Sequence, residues 1–94
     1  NGDAESAIAE YGEAIRLDPA FTAAYYARGL AWLEAGDYRA AGHDLTAAIA
    51  LDPGLAEAYR YRITADMVTG NLDRAFHDSY LLAVLSAGAG LVAQ

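Results

Sequence analysis

The sequence predicts an all-α protein, an α-solenoid of antiparallel helix–turn–helix repeats. Three observations carry this. Residues 1–34 and 35–68 align without a gap at twelve identical positions, among them Leu17/Leu51, Asp18/Asp52, Pro19/Pro53, Tyr25/Tyr59 and Arg28/Arg62. A fixed period of this length marks stacked repeats, each one a supersecondary unit that needs its neighbour. Leu-Asp-Pro stops recur one period apart, at residues 17–19 and 51–53, and no strand-like alternation lies between them. The apolar fraction is 55%, much of it alanine, which suits close-packed helices rather than disorder.

The elements follow in order. Five helices are expected at about residues 4–16, 21–34, 38–50, 55–68 and 72–85. Gly36-Asp37 and Gly70-Asn71 separate the two helices of a unit. Glycine takes the left-handed conformation that ends a helix, and Asp or Asn caps the next one. Asp18-Pro19 and Asp52-Pro53 divide one unit from the next, since proline cannot continue a helix but is tolerated in a first turn. The array spans residues 1–85: 1–19 as the second half of a unit, 20–53 as a full unit, 54–85 as a divergent one. Residues 86–94, "SAGAGLVAQ", are expected to be a weakly ordered tail. Asn1-Gly2-Asp3 reads as an inter-helix turn with nothing before it, and Ala7, Tyr11 and Ala14 as a face for a further helix on the N-terminal side.

The second unit carries Tyr25, Gly29, Trp32, Gly36, Tyr38, Ala41, Leu45, Ala48 and Pro53 at the positions of a 34-residue family pattern. On these residues the chain resembles the tetratricopeptide repeat family over residues 1–85. The unit from Ala56 keeps Tyr59, Gly70 and Ala75 but has Ile63, Asp66 and Ser79 where the pattern has glycine and large residues. The resemblance implies a right-handed α-solenoid of about two and a half units. It places Gly29, Ala41 and Ala48 at the close approach of two helices, with Tyr25, Trp32, Tyr38 and Leu45 filling the space beside them.

Register within each unit predicts two ion pairs. Arg28 and Asp44 stand sixteen residues apart across Gly36, and Arg62 and Asp78 the same across Gly70. In an antiparallel pair these positions face one another, so Arg28–Asp44 and Arg62–Asp78 are expected to fix helix register. Glu10 holds the same repeat position in the first half-unit.

Other chemistry finds little support. There is no cysteine, which excludes disulfides and thiolate sites. His43 and His77 stand one repeat apart, not four residues apart on one helix, so no metal is expected. No nucleophile-and-base spacing or phosphate loop appears, so neither catalysis nor a cofactor is expected. The net charge of −7, with six arginines and no lysine, opposes binding to nucleic acid and to anionic membrane. No run of apolar residues is long enough for a membrane span. The opening "NGDAES" reads as the start of an excised piece, and the cytoplasm is the default compartment.

The resemblance implies a non-enzymatic protein–protein interaction module that holds a peptide or partner helix in a concave groove lined by first helices. The groove residues would be Ala23, Tyr26, Ala27, Leu30, Leu33 and Glu34 in one unit and Glu57, Arg60, Tyr61, Thr64, Met67 and Val68 in the next. Of these, Tyr26, Ala27, Leu30, Leu33, Arg60, Tyr61, Thr64 and Met67 are the expected partner-binding residues. A subfamily that grips acidic C-terminal peptides does so with Asn and Lys, whereas this chain has Ala27 and Leu30 at the matching positions. The expected partner is therefore an apolar or basic peptide. Two alternatives remain: homo-oligomeric assembly through uncapped solenoid ends, one of them formed by Leu81, Leu82, Val84 and Leu85, or a regulatory appendage of a larger protein.

Overall fold

The Asp-Pro stops and the glycine turns divide the chain where the repeat requires. In the computed structural model, residues 2–92 are described, with side chains described through residue 88. The helices are α1 (Gly2–Leu17), α2 (Thr22–Ala35), α3 (Tyr38–Leu51), α4 (Ala56–Thr69) and α5 (Leu72–Val92). No strand occurs among the described residues. Each helix packs on the next in sequence, and α2 also touches α4. The result is an elongated all-α solenoid, 45 × 29 × 18 Å.

Each turn has a local cause. Gly36 and Gly70 sit at φ +85° and +86°, a region an L side chain enters only with strain. The Gly36 turn lets the Asp37 amide return to the Trp32 carbonyl at 2.9 Å, and the Gly70 turn lets the Asn71 amide return to Asp66 at 2.9 Å. The Asp37 side chain then caps α3 by accepting from the Ala40 amide at 3.1 Å.

The Asp-Pro turns work differently. Asp18 and Asp52 accept from the amides of Ala20 and Gly54, both at 3.2 Å, and so fold the turn locally. The residues just before α2 and α4, Phe21 and Leu55, offer no capping side chain. Tyrosine closes the turn instead. The Tyr25 hydroxyl donates to the Pro19 carbonyl at 3.0 Å, and the Tyr59 hydroxyl donates to Pro53 at 2.8 Å. The recurrence of tyrosine six residues after each proline thus has a hydrogen-bonding cause beyond filling space.

The core is narrow and alanine-rich. Ala24, Ala31, Ala41, Ala48, Ala58, Ala65 and Ala75 are buried around Leu45, which is wholly inaccessible. Gly29 sets the approach of α2 to α3. A Cβ there would lie 3.0 Å from the Leu45 side chain, closer than carbon atoms pack.

Three expectations need correction. Helix α5 does not stop near residue 85 but continues to Val92, because no proline interrupts the alanines and aliphatic residues of the tail. Residues 93–94 lie outside the described residues. Of the residues expected to fill the space beside the close approach, Leu45 is buried but Tyr25, Trp32 and Tyr38 are only half-buried, since side chains of that size are hard to cover in layers only two helices deep. Of the expected apolar end on α5, Leu81, Leu82 and Leu85 are half-buried and Val84 is exposed, and Val84 joins Leu72, Phe76 and Tyr80 in an exposed stripe at four-residue spacing.

Candidate functional site

Helices α2 and α4 are the first helices of consecutive units, and they touch at a few residues. Spacing alone groups Ala23, Tyr26, Ala27, Leu30, Leu33 and Glu34 on one face of α2. It groups Glu57, Arg60, Tyr61, Thr64, Met67 and Val68 on the corresponding face of α4. The structure joins the two faces through tyrosine. The rings of Tyr26 and Tyr61 meet edge to face, with centroids 6.2 Å apart, an arrangement that favours aromatic pairs.

Exposure varies along this surface. Tyr26, Ala27, Leu30, Leu33 and Tyr61 are half-buried, while Arg60 and Thr64 are exposed. Met67 and Val68 are more than half exposed, at 56% and 58%. Burial pushes the Tyr26 phenol upward, and Tyr61 and Glu57 add to the shift against an opposing pull from Arg60. Arg60 is the one cation on the surface, and it hydrogen-bonds Glu57 at 3.4 Å. Ala23 and Ala27 also line an apolar cleft of about 420 Å³ between α1 and α2, together with Glu10, Tyr11, Ala14, Phe21 and Ala24.

Ion pairs hold this surface in register. Arg28 grips Asp44 through Nε at 2.7 Å and Nη2 at 2.8 Å. These bonds raise the Arg28 pKa, against the opposing effect of burial. Arg62 grips Asp78 in the same bidentate manner at 2.6 and 2.7 Å. Its third nitrogen, Nη1, donates to Thr46 Oγ1 of α3 at 3.2 Å. Each arginine therefore reaches three helices, for Arg28 Nη1 likewise lies against Gly12 of α1.

A third pair was not anticipated. Arg74 grips Asp66 at 2.7 and 2.8 Å, with Asp66 only 1% exposed. One repeat earlier these positions hold Trp32 and Ala40. The divergent unit thus has a part-buried ion pair where the preceding unit has an aromatic residue. Sequence did carry a signal: residues 66 and 74 are symmetric about Gly70, as are 62 and 78. Among the described residues, no buried side-chain polar atom lacks a partner, and no group of three or more His, Asp or Glu could hold a metal ion. No described helix is long and apolar enough to cross a membrane.

Stacked helix pairs, glycine turns and Asp-Pro punctuation define a helical-repeat solenoid. A family model described as TPR repeat matches residues 1–36, and one described as Tetratricopeptide repeat matches residues 22–55. The second TPR of Spaghetti (RPAP3), solved bound to the HSP90 peptide SRMEEVD, superposes with a TM-score of 0.85 at 33% identity. That match covers 89% of this chain and 78% of the other. The second TPR domain of human RPAP3, solved in complex with the HSP70 peptide SGPTIEEVD, gives a TM-score of 0.86 at 33% identity, over 93% and 72% of the two chains. No curated protein sequence matches. The chain belongs to the tetratricopeptide repeat family.

Proposed function

We propose that the chain is a non-enzymatic protein-interaction module that holds an extended or helical peptide against the α2–α4 face. The observation that carries this is the Tyr26–Tyr61 contact. It joins two consecutive first helices into one surface at positions where the repeats differ: Tyr26 stands against Arg60, and Ala27 against Tyr61. Tyrosine anchors interfaces well because it offers a large, stiff, amphipathic area. Met67 beside it adapts to irregular side chains. Similarity to two domains solved with bound peptides supports the reading.

The charge of the surface favours an apolar or basic peptide. Arg60 is engaged by Glu57, which leaves Glu34 as the unpaired charge. The two similar domains were solved with peptides ending in EEVD, which favours a second reading in which this chain takes an acidic tail. Titration calorimetry with SRMEEVD and with the same peptide carrying Lys in place of both Glu separates the two. The first reading expects the Lys peptide to bind more tightly, and tighter binding of the Glu peptide overturns it. Tyr26→Ala and Tyr61→Ala should weaken binding while helical circular dichroism is kept. Unfolding by either change would show that the rings serve the core instead.

A further inference from the structure

A second hollow, of about 220 Å³, opens between the N-terminal halves of α3 and α5, beside the end of α4. Among the described residues α3 and α5 make no backbone contact, so side chains alone span the gap. Arg39 and His43 line it from α3, four residues apart and so on one helix face. Arg74 and Asn71 line it from the other side. Five of the six arginines are paired with a carboxylate, and Arg39 is the exception among the described residues. Asp66 also lines the hollow, but Arg74 occupies both its oxygens. That grip fixes the Arg74 guanidinium and leaves Nη1 with one long contact, to Thr46 at 3.4 Å. The charge of Arg39 is therefore uncompensated, and guanidinium, imidazole and carboxamide N–H groups stand round one space.

The hollow departs from the repeat at every lining position. One period earlier, Arg39 and His43 correspond to Glu5 and Ala9, and Asn71 and Arg74 to Asp37 and Ala40. The earlier copy thus carries two acids and no cation. Bulk is lost as well, for Gly42 corresponds to Ile8 and Asp66 to Trp32. Even a Cβ at Gly42 would stand 3.5 Å from Arg74 Nη2, so an isoleucine there would crowd the guanidinium out.

We infer that this hollow binds a phosphate monoester. Each buried carboxylate of this chain, Asp44, Asp66 and Asp78, is satisfied by the fork of a single arginine. Two guanidiniums and an imidazole round one space exceed what a planar carboxylate needs. A phosphate monoester offers three oxygens and close to two negative charges. It accepts charge-assisted hydrogen bonds from several directions at once. Arg39 supplies the net charge, Arg74 a fixed guanidinium edge, and His43 and Asn71 further N–H donors.

The test is a nuclear magnetic resonance titration of the full chain with inorganic phosphate, glycerol 3-phosphate and the tripeptide Ala-phosphoserine-Ala. Signals of Arg39, His43, Asn71 and Arg74 should shift saturably. Arg39→Gln should weaken binding about tenfold or more, as expected for a lost charge-assisted hydrogen bond, and Arg39→Lys should restore part of it. Arg39 is exposed, so helical circular dichroism should be unchanged in both variants. Arg16→Gln, at an exposed arginine held by Glu13, should leave binding as it was. Tighter binding of the tripeptide identifies a phosphorylated side chain as the source. Equal or tighter binding of the free phosphates identifies a small phosphate ester, and either result upholds the site. Shifts that do not saturate, that ignore Arg39→Gln, or that acetate reproduces at the same concentration overturn it. Tyr26 and Tyr61 lie outside this hollow, so failure here leaves the groove reading standing.

Discussion

Arg62 and Asp78 form a buried bidentate pair, with Nε and Nη2 at 2.6 and 2.7 Å from the two carboxylate oxygens. The arginine guanidinium also lies 5.7 Å from the centre of the Tyr59 ring, whose hydroxyl is spent on Pro53. Every strong donor and acceptor in this cluster is occupied, so removing one member strands the others. Arg62→Met leaves the Asp78 carboxylate buried and uncompensated and should cost about 3–5 kcal/mol in urea unfolding. The double variant Arg62→Met, Asp78→Leu should recover most of that loss, because two apolar side chains strand no charge.

Gly29 and Gly42 should respond in opposite ways to alanine. A Cβ at Gly29 would stand 3.0 Å from Leu45, which has nowhere to move. Gly29→Ala should destabilise by about 1–3 kcal/mol, the usual cost of overpacking. At Gly42 the nearest atom is the Arg74 guanidinium at 3.5 Å, an ordinary contact. Gly42→Ala should be neutral or stabilise by about 0.5–1 kcal/mol through helix propensity. Thermal melts of the two variants compare them directly.

Loss of the tyrosine hydroxyls should loosen the Asp-Pro turns. Tyr59→Phe removes a part-buried bond to Pro53 at 2.8 Å and should cost about 1 kcal/mol. Tyr25→Phe removes a longer, exposed bond at 3.0 Å and should cost less. Amide hydrogen exchange at Leu55 and Ala58 should quicken in the Tyr59 variant, since both amides return to the same turn.

Alkaline pH should act on the tyrosine contact. Burial raises the Tyr26 pKa above the ordinary tyrosine value of about 10, because the phenolate is the form that burial disfavours. The folded state therefore binds this proton more tightly than the unfolded chain. Its contribution to stability is complete below the unfolded value and is lost as pH rises through the folded one. Tyr26→Phe should flatten part of the stability loss above pH about 10, measured by urea unfolding across an alkaline series.

Much of the fold could be read from the sequence because the repeat states each rule twice. Two Asp-Pro stops, glycine turns one period apart and two Arg–Asp pairs at one offset leave little freedom in register. The Asp66–Arg74 pair escaped notice because the other copy holds Trp32 and Ala40 there, so no repetition pointed to it. The extension of α5 past residue 85 escaped because Ser86, Gly88 and Gly90 discourage a helix locally without stopping one. The α2–α4 surface is a different case. Its side chains vary between copies, and periodicity speaks only for what stays constant. The edge contact of Tyr26 with Tyr61 needs a crossing angle that spacing does not supply.

The reach of Arg62 to Thr46 restricts how such units can be duplicated. A tandem copy of α2–α3 inserted after α3 would set its arginine against Thr46, which can accept a hydrogen bond. A tandem copy of α4–α5 inserted after α5 would set its arginine against Tyr80, the residue one period on from Thr46. The two cassettes are therefore not interchangeable in gene duplication. One can be followed by its own copy with the Arg–Thr hydrogen bond kept, whereas in the other the arginine meets the bulky Tyr80 in place of the threonine.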